Sequence, residues 1–331
     1  MKMSYRISPA WWPIIGLLSP VLFPWLFVRN RHYKHDITKS LRINKERIER
    51  ARPLELPQLE KFELTVLVEQ KADKDFLSAP GVSYLIKTDL GSLLFDVGYG
   101  PEDPSLAHNA KKLHFKMDQV DAVAISHFHP DHMGGIKAVR EKNVTVPQEI
   151  GGTQKLTCFL PAEADAGGGQ TEVVEGAQML AAGVATTGPL TRSLFLMGWT
   201  EEQAIVARLK NKGLVVFTGC GHPTIEVILE MVKQLSDEPI YAIGGGLHFP
   251  VTDSPFQKLG IKVQMILGTG KPPWKRITDD DLKDTIDNIN AINPKYVFLS
   301  AHDTCDYAID RFKNELNSET SVLRAGATYQ I

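Results

Sequence analysis

The chain has 331 residues, 43% of them hydrophobic, which suffices for one large domain with a sizeable core or for two small ones. Its 37 Lys and Arg nearly balance 39 Asp and Glu, and the resulting net charge of −2 excludes a global field that would gather nucleic acid. Cys158, Cys220 and Cys305 lie far apart and form no C-x-x-C pair, so no disulfide framework is indicated and a reducing compartment fits.

The N-terminus departs from this soluble profile. From Ser8 to Val28 there is no charged residue, and the run includes Trp11, Trp12, Leu17, Leu18, Val21, Phe23, Trp25 and Phe27. About 20 apolar residues are the minimum for a spanning helix, and tryptophans near both ends suit membrane interfaces. Pro13, Pro20 and Pro24 argue against a straight helix. No small-residue cleavage site follows, which argues against a removable signal peptide. One reading is attachment to a membrane, with Arg29, Arg31 and Lys34 holding the next domain on the cytoplasmic side. The other is an apolar arm packed on the protein or on a second subunit.

Residues 37–52 carry many charges at helical spacing, with Leu41, Ile43 and Ile48 as the apolar contribution. They read as a solvated linker helix ended by Pro53 and Pro57, so residues 1–57 stand apart from a catalytic domain at 58–331. Strands are expected at 62–69, 82–88 and 92–97, with a turn at Leu90-Gly91. A short apolar strand at 120–125 precedes a helix at 133–140. Residues 144–188, rich in Gly, Ala and Thr, read as short strands and loops, and 193–199 with 203–209 as a hairpin.

Strand and helix then alternate. Strands are expected at 214–218, 240–243, 296–300 and 321–329, and helices at 223–235, 277–292 and 306–316. Thr278 is the expected N-cap of the second helix, with Asp279, Asp280 and Asp281 at its positive end. Hairpins first and alternation later predict an α+β fold: two sheets face to face with helices outside, a four-layer αββα sandwich. Asp96, His127, Cys220, His248 and His302 all fall at strand ends.

Chemistry concentrates in the run Ser126-His127-Phe128-His129-Pro130-Asp131-His132. Imidazole and carboxylate are ligands that zinc and similar divalent ions prefer. In a tight loop alternate residues point to one side, so His127 and His129 can grip one ion while Asp131 and His132 turn to a second. Gly134 and Gly135 let the backbone pass close by.

This loop, residues 126–135, resembles the signature of the metallo-β-lactamase superfamily. Phe95-Asp96-Val97-Gly98 resembles the turn that lies beneath that loop, and His302 resembles the last ligand histidine. Phe217-Thr218-Gly219-Cys220 ends a strand where the family places a bridging Asp, sometimes a Cys. Gly219-Cys220-Gly221-His222-Pro223 and Gly244-Gly245-Gly246-Leu247-His248 resemble the branch named for dihydropterin-ribofuranosylaminobenzene phosphate synthase, whose members are mostly called metal-dependent hydrolases. The similarity spans roughly residues 62–331.

There are two departures. No histidine stands between His132 and His222, where most of the superfamily has a ligand near the position of Thr187-Gly188-Pro189. The branch has Cys directly after the last histidine, whereas Asp303-Thr304-Cys305 follows here.

The resemblance implies two divalent ions, zinc first with iron or manganese also suited, that share a water and hold it as hydroxide. The metal ligands are then His127, His129, Asp131, His132, His222 and His302. Cys220 reads either as a small core residue or as a ligand, and His248 as a ligand or a substrate contact. Asp131 also orients the nucleophile, and Asp96 supports a ligand histidine. Catalytic zinc has three protein ligands, so the missing mid-chain histidine needs a replacement, and His222 is favoured over His248 because its strand is the one on which the superfamily places a metal ligand.

Gly268-Thr269-Gly270-Lys271 lacks the phosphate-loop pattern and reads as a loop over the pocket, where Lys271 and Trp274 contact substrate. The leading expectation is a hydrolase of a small-molecule ester, lactone or phosphoester. A synthase acting on a phosphorylated pterin precursor is the rival enzyme, and a non-catalytic sensor on the same scaffold is the rival outside catalysis. No basic, aromatic-interleaved stretch would grip nucleic acid.

Overall fold

The structure, a computed structural model, describes residues 5–331. Two mixed sheets pack face to face. The first runs in the order Thr328–Gln330, Phe62–Val68, Ser83–Thr88, Gly91–Phe95, Ala122–Ala124, Thr157–Leu160, Gln170–Val173. The second runs Glu319–Val322, Tyr296–Leu299, Ile240–Gly245, Gly213–Phe217, Ile205–Leu209, Ala185–Thr186, Gln178–Met179, with Gln58–Leu59 beside Ile205–Leu209.

Alternation along the strands creates the layers, because successive side chains leave opposite faces of a sheet. Leu93 and Phe95 point into the space between the sheets, where they join Phe62, Phe217 and Phe298. Leu94 points the other way, onto the helices Ser105–Lys112 and Ile136–Glu141 through Leu106 and Ala138. On the second sheet Val215 and Phe217 face inward, while Leu214 and Val216 face Ile225–Leu235, Asp279–Ile292 and Asp306–Glu315. Three apolar layers separate four layers of structure, the expected αββα order. Thr278 caps its helix in a capping box with Asp281.

Five local expectations change. The apolar run and the charged stretch form one helix, Trp12–Arg50. Pro13 costs little in the first turn, where its missing N–H has no partner, and Pro20 and Pro24 lie inside on exposed positions. The second half of the helix is docked rather than solvated. Ser40, Asn44 and Ile48 are buried, and Asn44 pairs with the backbone N and O of Thr191 at 2.7 and 2.9 Å. Small polar residues read as exposed because sequence periodicity does not register a bond to a strand's backbone.

The mid-chain hairpin pairs Leu190–Leu194 with Gly198–Glu202, and Ile205–Leu209 pairs with Gly213–Phe217 instead. The last strand divides into Glu319–Val322 and Thr328–Gln330, one in each sheet. The helix expected at 133–140 is broken at Gly134 and Gly135, whose φ of 110° and 108° suit glycine.

Candidate metal centre

Strand direction gathers the site. Gly91–Phe95 is parallel to Ala122–Ala124 in one sheet, and Gly213–Phe217, Ile240–Gly245 and Tyr296–Leu299 are parallel in the other. Their C-terminal ends deliver Asp96, His127, Cys220, His248 and His302 to one edge of the sandwich, where such crevices form.

The donor atoms converge on Cys220 in three groups, one of them Cys220, His248 and Asp303. His129 Nδ1 stands 3.0 Å from His127 Nε2 and 3.1 Å from His222 Nε2. Cys220 Sγ lies 3.2 Å from both His132 Nε2 and His302 Nε2, and Asp131 Oδ2 is 3.5 Å from His132 Nε2. Asp131, His132, Cys220 and His302 make one convergent set, and His127, Cys220 and His222 another. Ligands at zinc bond lengths on a tetrahedron stand about 3.3 Å apart, so these separations fit a metal. The third imidazole beside His127 and His129 is that of His222, whose Nε2 lies 3.1 Å from His129 Nδ1.

Hydrogen bonds from the far ring nitrogens fix the tautomers. His132 Nδ1 donates to Asp96 Oδ2 at 2.7 Å. His127 Nδ1 donates to Ser126 Oγ at 2.9 Å, and Ser126 Oγ donates to Asp96 Oδ2 at 2.7 Å. His302 Nδ1 donates to Ser300 Oγ at 2.5 Å, and Ser300 Oγ in turn donates a hydrogen bond to buried Glu69. In each case Nε2 is left bare toward the centre, the arrangement metal-ligating histidines use. Burial, helped by the neighbouring imidazoles, holds His127, His222 and His302 well below the ordinary histidine range, so they are neutral. Burial also raises the Cys220 thiol, and a cation beside it would be needed to draw off its proton.

Glu202 holds the turn that carries Cys220 and His222. Its carboxylate accepts from the backbone N–H of Gly219, Gly221 and His222 at 3.1, 2.7 and 2.8 Å, and burial pushes it up to about 7. Glu69, also at about 7 through burial, plays the equivalent part behind His302. Neither stood out in the sequence, because isolated glutamates inside strand patterns carry no spacing signal. Asp303, also missed, lines the cavity and stands 3.8 Å from His302 Nε2.

His248 lies one ring further out, its centroid 5.0 Å from that of His222, and neither of its ring nitrogens has a hydrogen-bond partner. A cavity of about 370 Å³ covers the centre, with Tyr99, Met197, Phe256, Val263 and Leu267 among its walls. Lys271 is bound to Asp281 at 2.5 Å, and Trp274 packs edge-on against Phe195.

The superfamily model described as "Metallo-beta-lactamase superfamily" matches residues 79–151, which hold Asp96 and the histidine loop. The solved structure of Tm1679, described as a metal-dependent hydrolase of the beta-lactamase superfamily, superposes with a TM-score of 0.55 at 21% identity, covering 82% of this chain and 99% of that one. This is a metallo-β-lactamase-fold protein. The metallo-β-lactamase fold protein YhfI of Bacillus subtilis matches with a TM-score of 0.50 at 14% identity, over 82% of this chain and all of the other. In sequence, the 7,8-dihydropterin-6-methyl-4-(beta-D-ribofuranosyl)-aminobenzene-5'-phosphate synthase of Methanocaldococcus jannaschii is 23% identical over 261 residues, 63% of this chain and 87% of the relative.

Within the metallo-β-lactamase fold, Asp96 offers a sharp test. Its φ is +63°, a conformation asparagine also tolerates, so Asp96→Asn keeps backbone and shape. All three of its contacts are donors: Ser126 N, Ser126 Oγ and His132 Nδ1. The amide NH₂ must face at least one of them. We expect metal affinity to fall by roughly 10–100-fold in competition with a chelator, the usual cost of losing such a support. Unchanged affinity would show that Asp96 only shapes the turn.

Proposed function

We propose that the chain is a metal-dependent hydrolase with two divalent ions, zinc first, acting on an ester, lactone or phosphoester. The observation that carries this is the convergence of His127, His129, His222, Asp131, His132 and His302 around Cys220 beneath an open cavity. Divalent ions held there would polarise a carbonyl or phosphoryl oxygen and make a water nucleophilic near neutral pH. His127, His129 and His222 would hold one ion, Asp131, His132 and His302 the other, and Cys220 would lie between them.

Asp131 faces the cavity. Without metal, burial opposes charge on both Asp131 and His132, but the acidic groups Cys220, Asp131 and Asp96 outweigh this and favour a protonated His132. Its charge and hydrogen bond hold the Asp131 carboxyl well below the ordinary carboxylate range; divalent ions bound there would take over that role and leave His132 neutral. As an ionised carboxylate facing the cavity, Asp131 can orient the attacking water. Tyr99 and His248 line the same cavity and can direct polar groups at the substrate, while apolar walls exclude bulk water. The named synthase relative supports transfer to a phosphorylated pterin precursor as a second reading. Metal analysis with turnover of generic esters, lactones and phosphodiesters tests the first, and no turnover of any class by metal-loaded protein would overturn it.

The helix Pro9–Arg50 is long and apolar enough to cross a membrane, and none of its apolar window is buried. It is nevertheless tied to the domain at both ends of that window. Ser8 N and Trp11 Nε1 donate to Gly260 O and Leu259 O at 2.8 and 2.9 Å, and Arg29 Nε donates to Phe195 O at 2.7 Å. We infer that the helix lies flat on the cytoplasmic face of a membrane, its outer apolar side in the lipid. No acidic residue precedes Asp36, while Arg6, Arg29, Arg31 and Lys34 suit anionic headgroups.

A further inference from the structure

His222, His248 and Gly268 form a wall common to the cavity over the metal centre and a second cavity of about 270 Å³. The turn at 221–226, the loop at 268–271 and the helix Asp279–Ile292 enclose this second space, and Arg192 reaches it from the hairpin Leu190–Glu202. Most of its charged groups are already committed. Lys271 holds Asp281 at 2.5 Å, and Asp281 also accepts from Thr278. Glu226 accepts from Thr285 Oγ1 at 2.6 Å and from Asn288 at 3.4 Å, and Asp284 is exposed at the rim.

Arg192 is different. Its guanidinium is half-buried, and burial lowers its pKa; Tyr33 and the Glu226 carboxylate act on it only through space, and it makes no direct hydrogen bond or ion pair with the described residues. Glu226 shares the cavity and offsets part of the cost of burying this charge, but its oxygens are turned to Thr285 and Asn288, so the guanidinium's fork of donors stays open to an anion. Three more buried groups on the common wall make no hydrogen bond, both ring nitrogens of His248 and Nδ1 of His222, although His248 Nδ1 stands 3.7 Å from Asp303 Oδ2.

We propose that this second cavity is a subsite for an anionic group, a carboxylate or a phosphate, carried on the non-reacting part of the substrate and gripped by Arg192. The assignment names a substrate class for the hydrolytic reading and rests on it. Planar, two-pronged donation is what guanidinium offers such oxyanions. His248 stands between the two cavities, placed to bond a substrate that threads from one to the other.

The test uses the full-length, metal-loaded chain in detergent, with two readouts. Calorimetric titration of inorganic phosphate and of propionate should give binding that weakens about tenfold or more in Arg192→Gln. The probe with the larger Arg192 dependence identifies the anion. In parallel, aryl esters matched in size, one with an anionic and one with a neutral acyl tail, should show a kcat/KM ratio that favours the anion and drops about tenfold in Arg192→Gln. Arg192→Lys keeps the charge but loses the two-pronged contact, should fall between, and serves if the glutamine variant does not fold. Equal anion binding by wild type and variants, through the metals alone, would overturn the subsite. If neither ester is turned over, the hydrolytic reading fails while the titration still decides the subsite.

Discussion

Replacing His222 by alanine is expected to lower bound metal from two ions per chain to one and to cut turnover at least ~100-fold. The first donor group contains only three imidazoles, and His222 Nε2 stands 3.1 Å from His129 Nδ1. With His222 gone, His127 and His129 remain, one ligand short of a catalytic zinc site. Loss of a mere support costs 10–100-fold in metal affinity, so loss of a ligand costs more. His248→Ala is the control. Its ring is further out, and it should keep both ions while losing substrate binding. Metal stoichiometry by elemental analysis on freshly purified protein, with turnover beside it, decides the matter. Two ions and ordinary kinetics in His222→Ala would return the third position to Cys220 or to water.

The second large effect concerns the N-terminal helix. The full-length chain should float with vesicles containing anionic lipid, and Leu17→Ser, Val21→Ser and Phe27→Ser together should release it. These three side chains are 81%, 75% and 67% exposed on the outer side of the helix. Full burial of one such side chain contributes about 1.5–3 kcal/mol. Even half of that for each, lost at three sites, weakens partitioning by roughly 40- to 2,000-fold, which a flotation assay resolves. Their distance from the metal donors means that metal content should not change. A wild-type chain that stays with the aqueous fraction beside anionic vesicles, without detergent, would make the helix a packing element instead.

Much of the protein was legible before any coordinates. The sandwich could be read because strand alternation and the late strand–helix rhythm are local patterns. The histidine loop could be read because four donors within six residues have few other uses. The N-terminal helix shows where local reading stops. Its prolines were weighed as breakers, but one lies in the first turn and two on the exposed side. Its polar positions looked solvated, but Asn44 satisfies the backbone of Thr191 across 147 residues of sequence.

The sequence by itself determined the ingredients: the donor types, the strand that precedes each, and the charge-free face of the first helix. Only the tertiary structure decided how they combine. His222 could join His127 and His129 because two separate sheets end their parallel strands at one edge, a relation that no local period encodes. Glu69, Glu202 and Arg192 acquired their parts in the same way. A buried carboxylate or guanidinium is defined by what surrounds it and by which neighbours are already paired, and those neighbours come from distant segments brought together by the burial of three apolar layers.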